Sequence, residues 1–132
     1  MQTCGLKADS RNGVERLAQR PSVRYSGRVI QSILPVQARE LIDRGELDVV
    51  DVRDSREWSS GHVPGARLVP LDRLRVEPTA SLPRDGVIFV CAAGMRSQTA
   101  ARVAEANGLR NVYNLVGGTR GWQNAGLPLE RS

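Results

Sequence analysis

Cysteine is scarce in this chain: Cys4 and Cys91 are the only two in 132 residues. So few exclude a disulfide-stapled secreted scaffold and make a reducing cytoplasm the expected compartment. With His62 as the single histidine, no closed zinc set can be assembled at usual spacings, and no metal is expected. No apolar run approaches the roughly 20 residues that cross a bilayer. No apolar stretch follows Met1, so neither a membrane span nor a secretory signal is expected. A dinucleotide fingerprint is also lacking, because Gly117-Gly118-x-x-Gly121 does not keep the G-x-G-x-x-G order. No cofactor is expected.

What the chain does contain is ordinary for a globular protein. Apolar residues make up 40% and charged residues 25% of its 14.4 kDa, enough for one core but not for two. The net charge of +5 is unevenly placed. Residues 1–28 carry six basic and two acidic side chains, whereas 29–132 carry 13 and 12. The excess therefore belongs to a basic N-terminal arm, read as solvated or loosely docked, ahead of a nearly neutral single domain at 29–132. Tyr25 is the arm's only aromatic residue and no recognition motif accompanies it, so nucleic acid is not an expected partner. Membrane is not expected either.

From residue 29 onward strands and helices alternate. Val29-Ile30 and Ile33-Leu34 suggest a first strand, and Pro35 opens a helix that Gly45 stops. Leu47–Val52 is a β-branched run of the kind buried on both sides in a parallel sheet. A weaker strand is expected at Ala66–Val69, and 70–86, with three prolines, reads as loop holding one helical turn. Val87–Val90 is a strand, Ser97–Asn107 a helix ended by Gly108, Val112–Val116 a strand, and a short helix runs from Gly117-Gly118 to Gly126. Strand, helix and strand in close succession make a right-handed βαβ unit. The expectation is an open α/β sheet, mostly parallel, with helices on both faces.

Open parallel sheets bind ligands beyond the carboxyl ends of their strands. Cys91 stands there, and Cys91-Ala92-Ala93-Gly94-Met95-Arg96-Ser97 leads into a helix. Small residues let the backbone turn its N–H groups inward around an anion, and Gly94 can take positive φ. The helix N-terminus behind adds roughly half a positive charge. Ser97 is the expected N-cap. Such surroundings favour a thiolate and make Cys91 a nucleophile. The competing reading is an inert core cysteine, since free cysteine is commonly buried. The reactive reading calls for inward amides and a sulfur open to solvent.

The match extends beyond this loop. Asp51-Val52-Arg53 with Glu57, Gly61-His62-Val63-Pro64-Gly65-Ala66, Cys91-x-x-Gly94-x-Arg96-Ser97 and Gly117-Gly118-x-x-Gly121-Trp122 follow in order. Together they resemble the single-domain rhodanese family of sulfurtransferases. The resemblance implies a rhodanese-like three-layer α/β fold with a five-stranded, mostly parallel sheet and helices on both faces. It implies a catalytic Cys91 that carries sulfur as a persulfide, with Ala92, Ala93, Gly94, Met95, Arg96 and Ser97 binding the sulfur-bearing anion. The implied partners are a small anionic donor such as thiosulfate and an acceptor that is cyanide, a thiol or a sulfur-relay protein. Two other functions compete. Rhodanese-like domains also serve as regulatory or interaction modules, often without the cysteine. Cys-based phosphatases and arsenate reductases use related loops, but phosphate loops hold one residue more before the arginine than the four here, Ala92 to Met95.

The flanking residues have plainer readings. Asp51, Arg53, Glu57 and His62 are read as site support: Asp51 and Arg53 either line the pocket or form a buried network with Glu57 or Arg96 that fixes the loops. Arg96 either steers an anionic donor or braces the loop against a carboxylate. His62 is structural rather than a general base, because loop amides alone can sustain a thiolate. Trp58 packs or lines the pocket mouth, Trp122 closes the sheet edge, Met95 points outward, and Cys4 is an incidental thiol.

Overall fold

The structure, a computed structural model, describes residues 30–81 and 85–131. The basic arm at 1–28 with Cys4, Val29 of the expected first strand, and residues 82–84 lie outside the described residues. In chain order the elements are β1 (Gln31–Ile33), α1 (Pro35–Asp43), β2 (Asp48–Asp51), α2 (Ser55–Ser59), β3 (Arg67–Leu68), α3 (Leu71–Val76), α4 (Pro78–Ser81), β4 (Val87–Val90), α5 (Met95–Ala106), β5 (Val112–Leu115) and α6 (Gly118–Asn124). The five strands form one sheet in the order β1-β5-β4-β2-β3, and every pairing is parallel.

Alternation along β4 explains why its sequence is apolar throughout. Val87, Phe89 and then Cys91 join one core cluster with Ala100, Ala101 and Ala104 of α5 and Leu74 of α3. Ile88 and Val90 face the other way, into a cluster with Ile33, Val49, Leu115, Ala38 of α1 and Trp122 of α6. All four β4 residues are fully buried, as a central strand covered on both faces demands. Trp122 is 1% exposed and donates from Nε1 to the Pro128 carbonyl. It packs over one face of the sheet, not at its edge as expected, because α6 folds back onto the α1 side.

Residues 71–81 hold two helices where loop with one helical turn was expected. Their prolines start helices instead of breaking them. Pro70 is the N-cap of α3 and Pro78 the first residue of α4, where a fixed φ costs nothing and the missing N–H is not needed. Register aligns the ends of β2, β4 and β5, with Asp51 opposite Val90 and Phe89 opposite Asn114. Cys91 therefore emerges at the middle of the sheet's carboxyl edge, with α5 and α6 both beginning beside it.

Candidate active site

The loop from Cys91 to Gly94 is held from outside by its carbonyls. Thr119 N–H donates to the Cys91 carbonyl at 2.8 Å and Arg120 N–H to the Ala92 carbonyl at 3.2 Å. These are unpaired first-turn amides of α6, which need acceptors in any case. Because N–H and C=O point oppositely across a planar peptide, carbonyls turned toward α6 send the following amides away from it, and that of Ala93 bonds the sulfur. Gly94 N–H reaches Cys91 Sγ at 3.0 Å. Gly94 achieves this with φ +105, as the N-cap of α5.

That geometry relocates Ser97. It is not the N-cap but lies inside the first turn of α5, fully buried, because the chain enters the helix earlier, at the left-handed Gly94. Its Oγ stands 3.4 Å from Cys91 Sγ and donates to Asn114 Oδ1. Burial raises the pKa of the Cys91 thiol. The Ser97 hydroxyl beside the sulfur and hydrogen bonds from the backbone N–H groups of Ser97, Gly94 and Ala93 lower it. The balance puts the thiol below an ordinary cysteine. Of the two requirements set by the reactive reading, the inward amides are present. Solvent access is not: Cys91 is 1% exposed. A groove of about 280 Å³ runs beside the loop, lined by Ala93, Gly94, Met95 and Asn114 among others but not by Cys91. Met95 is 80% exposed at the loop's outer lip.

Arg96 grips Glu57 in a two-pronged fork, Nη1 to Oε1 at 2.8 Å and Nη2 to Oε2 at 2.9 Å. Both terminal nitrogens therefore brace α5 against α2. The expected network is looser: no ion pair joins Asp51 and Arg53 to this pair, although the Arg53 charge helps lower the Glu57 carboxyl. Instead Asp51 and Arg53 bond each other, Nη2 to Oδ2 at 2.7 Å, and Arg53 also donates to the Gly61 carbonyl. Asp51 is fully buried, and its charge finds a full set of donors two residues along the chain at the strand end. The His62 ring stacks on Trp58 with centroids 3.6 Å apart, and Nδ1 donates to the Val63 carbonyl. The His62 backbone forms an antiparallel bridge with Glu130. Trp58 thus has His62 as its partner.

The Arg96 fork, opposed by burial, holds the Glu57 carboxyl down to about 2. A depressed folded-state pKa contributes stability that is complete above the ordinary value of 4.5 and lost as pH falls toward about 2. Arg96 is 40% and Glu57 32% exposed, so screening limits the contribution to about 1 kcal/mol. Melting temperature measured against pH should fall across this window, and Glu57→Gln should flatten that fall. Superimposable acid limbs for the two proteins would remove the assignment.

Three contributors escaped the sequence reading of individual residues. Asn114 is a lone polar residue in a buried strand, and that contrast was its signal. Thr119 acts only through its backbone. Gly118 acts by having no side chain: a Cβ there would lie 2.2 Å from the Cys91 carbonyl oxygen and 2.6 Å from that of Ala92.

Comparison with known proteins places this arrangement. Thiosulfate sulfurtransferase GlpE of Haemophilus influenzae is 32% identical over 101 residues, 76% of this chain and 94% of that protein. The Bacillus subtilis protein YrkF is 32% identical over 85 residues, and the match spans 64% of this chain but only 46% of YrkF. Among solved structures, a rhodanese-related protein from Thermoplasma volcanium superposes with a TM-score of 0.69 at 29% identity, covering 77% of this chain and 99% of that one. No described helix is long and apolar enough to cross a membrane. With the sequence profile of the rhodanese-like domain matching residues 34–125, the chain belongs to the rhodanese-like domain family.

Proposed function

We propose that this protein is a sulfurtransferase of the thiosulfate type, working through a persulfide on Cys91. The observation that carries the reading is the Gly94 N–H 3.0 Å from Sγ, joined by the Ala93 and Ser97 amides. In the first step the Cys91 thiolate attacks the outer sulfur of thiosulfate. The S–S bond of the donor breaks, its electron pair leaves with sulfite, and Cys91 keeps an anionic outer sulfur. In the second step cyanide or a thiolate attacks that outer sulfur, and the electron pair of the Cys–sulfur bond returns to Sγ. Charge is conserved in both steps, and no metal or redox cofactor enters.

The inward amides stabilise negative charge on the thiolate, in the transition state and on the outer sulfur, without reorganising. An outer sulfur sits about 2 Å beyond Sγ, so an acceptor need not reach the buried atom itself. Arg96 acts here through Glu57 as a brace. Ala92, Ala93, Gly94, Met95 and Ser97 form the cradle, and Asp51, Arg53 and His62 keep the neighbouring loops in place. A reducing cytoplasm suits a free catalytic thiol, and a sulfur-relay protein is a natural acceptor for a persulfide.

The 1% exposure of Cys91 favours a second reading, a non-catalytic interaction module. Intact mass after incubation with thiosulfate separates the two. A sulfurtransferase gains the mass of one sulfur atom and loses it to cyanide with release of thiocyanate. A chain that gains no sulfur from thiosulfate or from a low-molecular-weight persulfide is a module.

A further inference from the structure

The Ser97 hydroxyl has one proton and two neighbours that compete for it. Asn114 lies on β5, 5% exposed, beside the turn that opens α5. Its Nδ2 faces the Gly94 carbonyl at 3.4 Å, an acceptor only. That contact orients the amide and leaves Oδ1, also only an acceptor, toward Ser97. The Ser97 proton is therefore given to Asn114 Oδ1. Toward Cys91 Sγ, 3.4 Å away, Ser97 then presents lone pairs. A protonated thiol can donate into those lone pairs. A thiolate cannot, and must draw the Ser97 proton to itself, leaving a buried amide oxygen unpaired.

We propose that Asn114 is a positioning residue for Cys91: by competing for the Ser97 proton it limits how strongly negative charge is held on Sγ in the empty site. The inference deepens the sulfurtransferase reading and rests on it for its purpose, though not for its test. When Cys91 carries a persulfide, Sγ is uncharged and the Ser97–Asn114 bond stays intact. Negative charge then belongs on the outer sulfur. The Ser97–Asn114 pair thus opposes the loop amides at the inner sulfur and leaves them unopposed at the outer one.

Charged groups around the loop are Arg96 with Glu57 on α5 and α2, the Asp51–Arg53 pair at the end of β2, and Arg120 on α6. His62, preceding β3, is stacked on Trp58. Asn114 itself bonds Ser97 and Gly94 rather than these groups.

The test reads the thiol directly and needs no sulfur donor, so its outcome is independent of whether sulfur is transferred. In a Cys4→Ser background, the ultraviolet absorbance of the Cys91 thiolate is followed against pH, a readout that does not need a reagent to reach the buried sulfur. Asn114→Val, which suits a strand, should move the Cys91 titration downward by about one pH unit, a tenfold gain in thiolate fraction at fixed pH and the size of one net hydrogen bond. In a Ser97→Ala background the same replacement should move it by less than about a third of that. Simple loosening of the loop would instead act equally in both backgrounds. No shift, an upward shift, or a shift that persists without the Ser97 hydroxyl overturns the proposal. Asn114→Leu supplies the same comparison if the valine variant does not fold, with circular dichroism as the check.

Discussion

Cys91→Ser is expected to fold normally, gain no sulfur from thiosulfate, and form thiocyanate at least about 10⁴-fold more slowly than the natural protein, the usual scale for loss of a nucleophile. The hydroxyl is essentially un-ionised near neutrality, and amides that favour a thiolate cannot bring an alcohol into range. Stability should barely move. Cys91 is buried in the cluster of Val87, Phe89 and Ala100, where an unpaired hydroxyl would be costly. At hydrogen-bond range of the sulfur, the Gly94 N–H can donate to the substituted hydroxyl and the Ser97 Oγ can accept from it. Thiocyanate assay and thermal melting together make the check. A serine variant with retained turnover would mean that sulfur is carried elsewhere.

Gly118→Ala should also be damaging, although residue 118 contributes no functional group. Two effects act there and their magnitudes separate. Gly118 has φ +62, where an L residue costs about 1–2 kcal/mol. The added methyl would also stand 2.2 Å from the Cys91 carbonyl oxygen, an impossible contact with backbone on both sides. Relief requires α6 and the Cys91 loop to part by roughly an ångström, and misplacement of that size costs on the order of 10²-fold in rate. The Thr119 and Arg120 amides would then lose the carbonyls that aim the loop inward. Turnover should fall at least about 100-fold, with a lowered melting temperature. Gly45→Ala is the matched control, since Gly45 has φ +75 but nothing within 4 Å of the added Cβ. It should show the conformational cost alone and full activity. Equal activity loss in both variants would show that backbone strain, and not the loop contact, is responsible.

Much of the architecture was legible because local chemistry and tertiary environment agree. Val87–Val90 is apolar at every position because both sides of β4 are covered, and the small residues Ala100, Ala101 and Ala104 mark the α5 face that meets the sheet. The errors arose where one residue type has two uses. Proline signals a break in a helix interior, but Pro70 and Pro78 stand at helix starts. Serine favours the N-cap and Ser97 suggests one, but Gly94 holds that place in a conformation serine rarely adopts. The carboxylates and arginines could be recognised as needing partners, but nothing in their spacing distinguished one shared network from the two separate pairs, Asp51–Arg53 and Glu57–Arg96.

Order along the chain was enough to establish the alternating strands and helices, the parallel sheet, and the position of a cysteine ahead of a tight small-residue loop. These follow from periodicity and from backbone preferences, which act over a few neighbouring residues. The direction of the loop amides, the burial of the sulfur and the choice of hydrogen-bond partner for Ser97 were settled by contacts between segments distant in the chain. Cys91 meets Thr119 and Gly118 of α6, and Ser97 meets Asn114 of β5, only because the strand order puts β4 beside β5. Hydrogen-bond geometry depends on fractions of an ångström across that junction, a scale on which neighbours in space decide and neighbours in sequence do not.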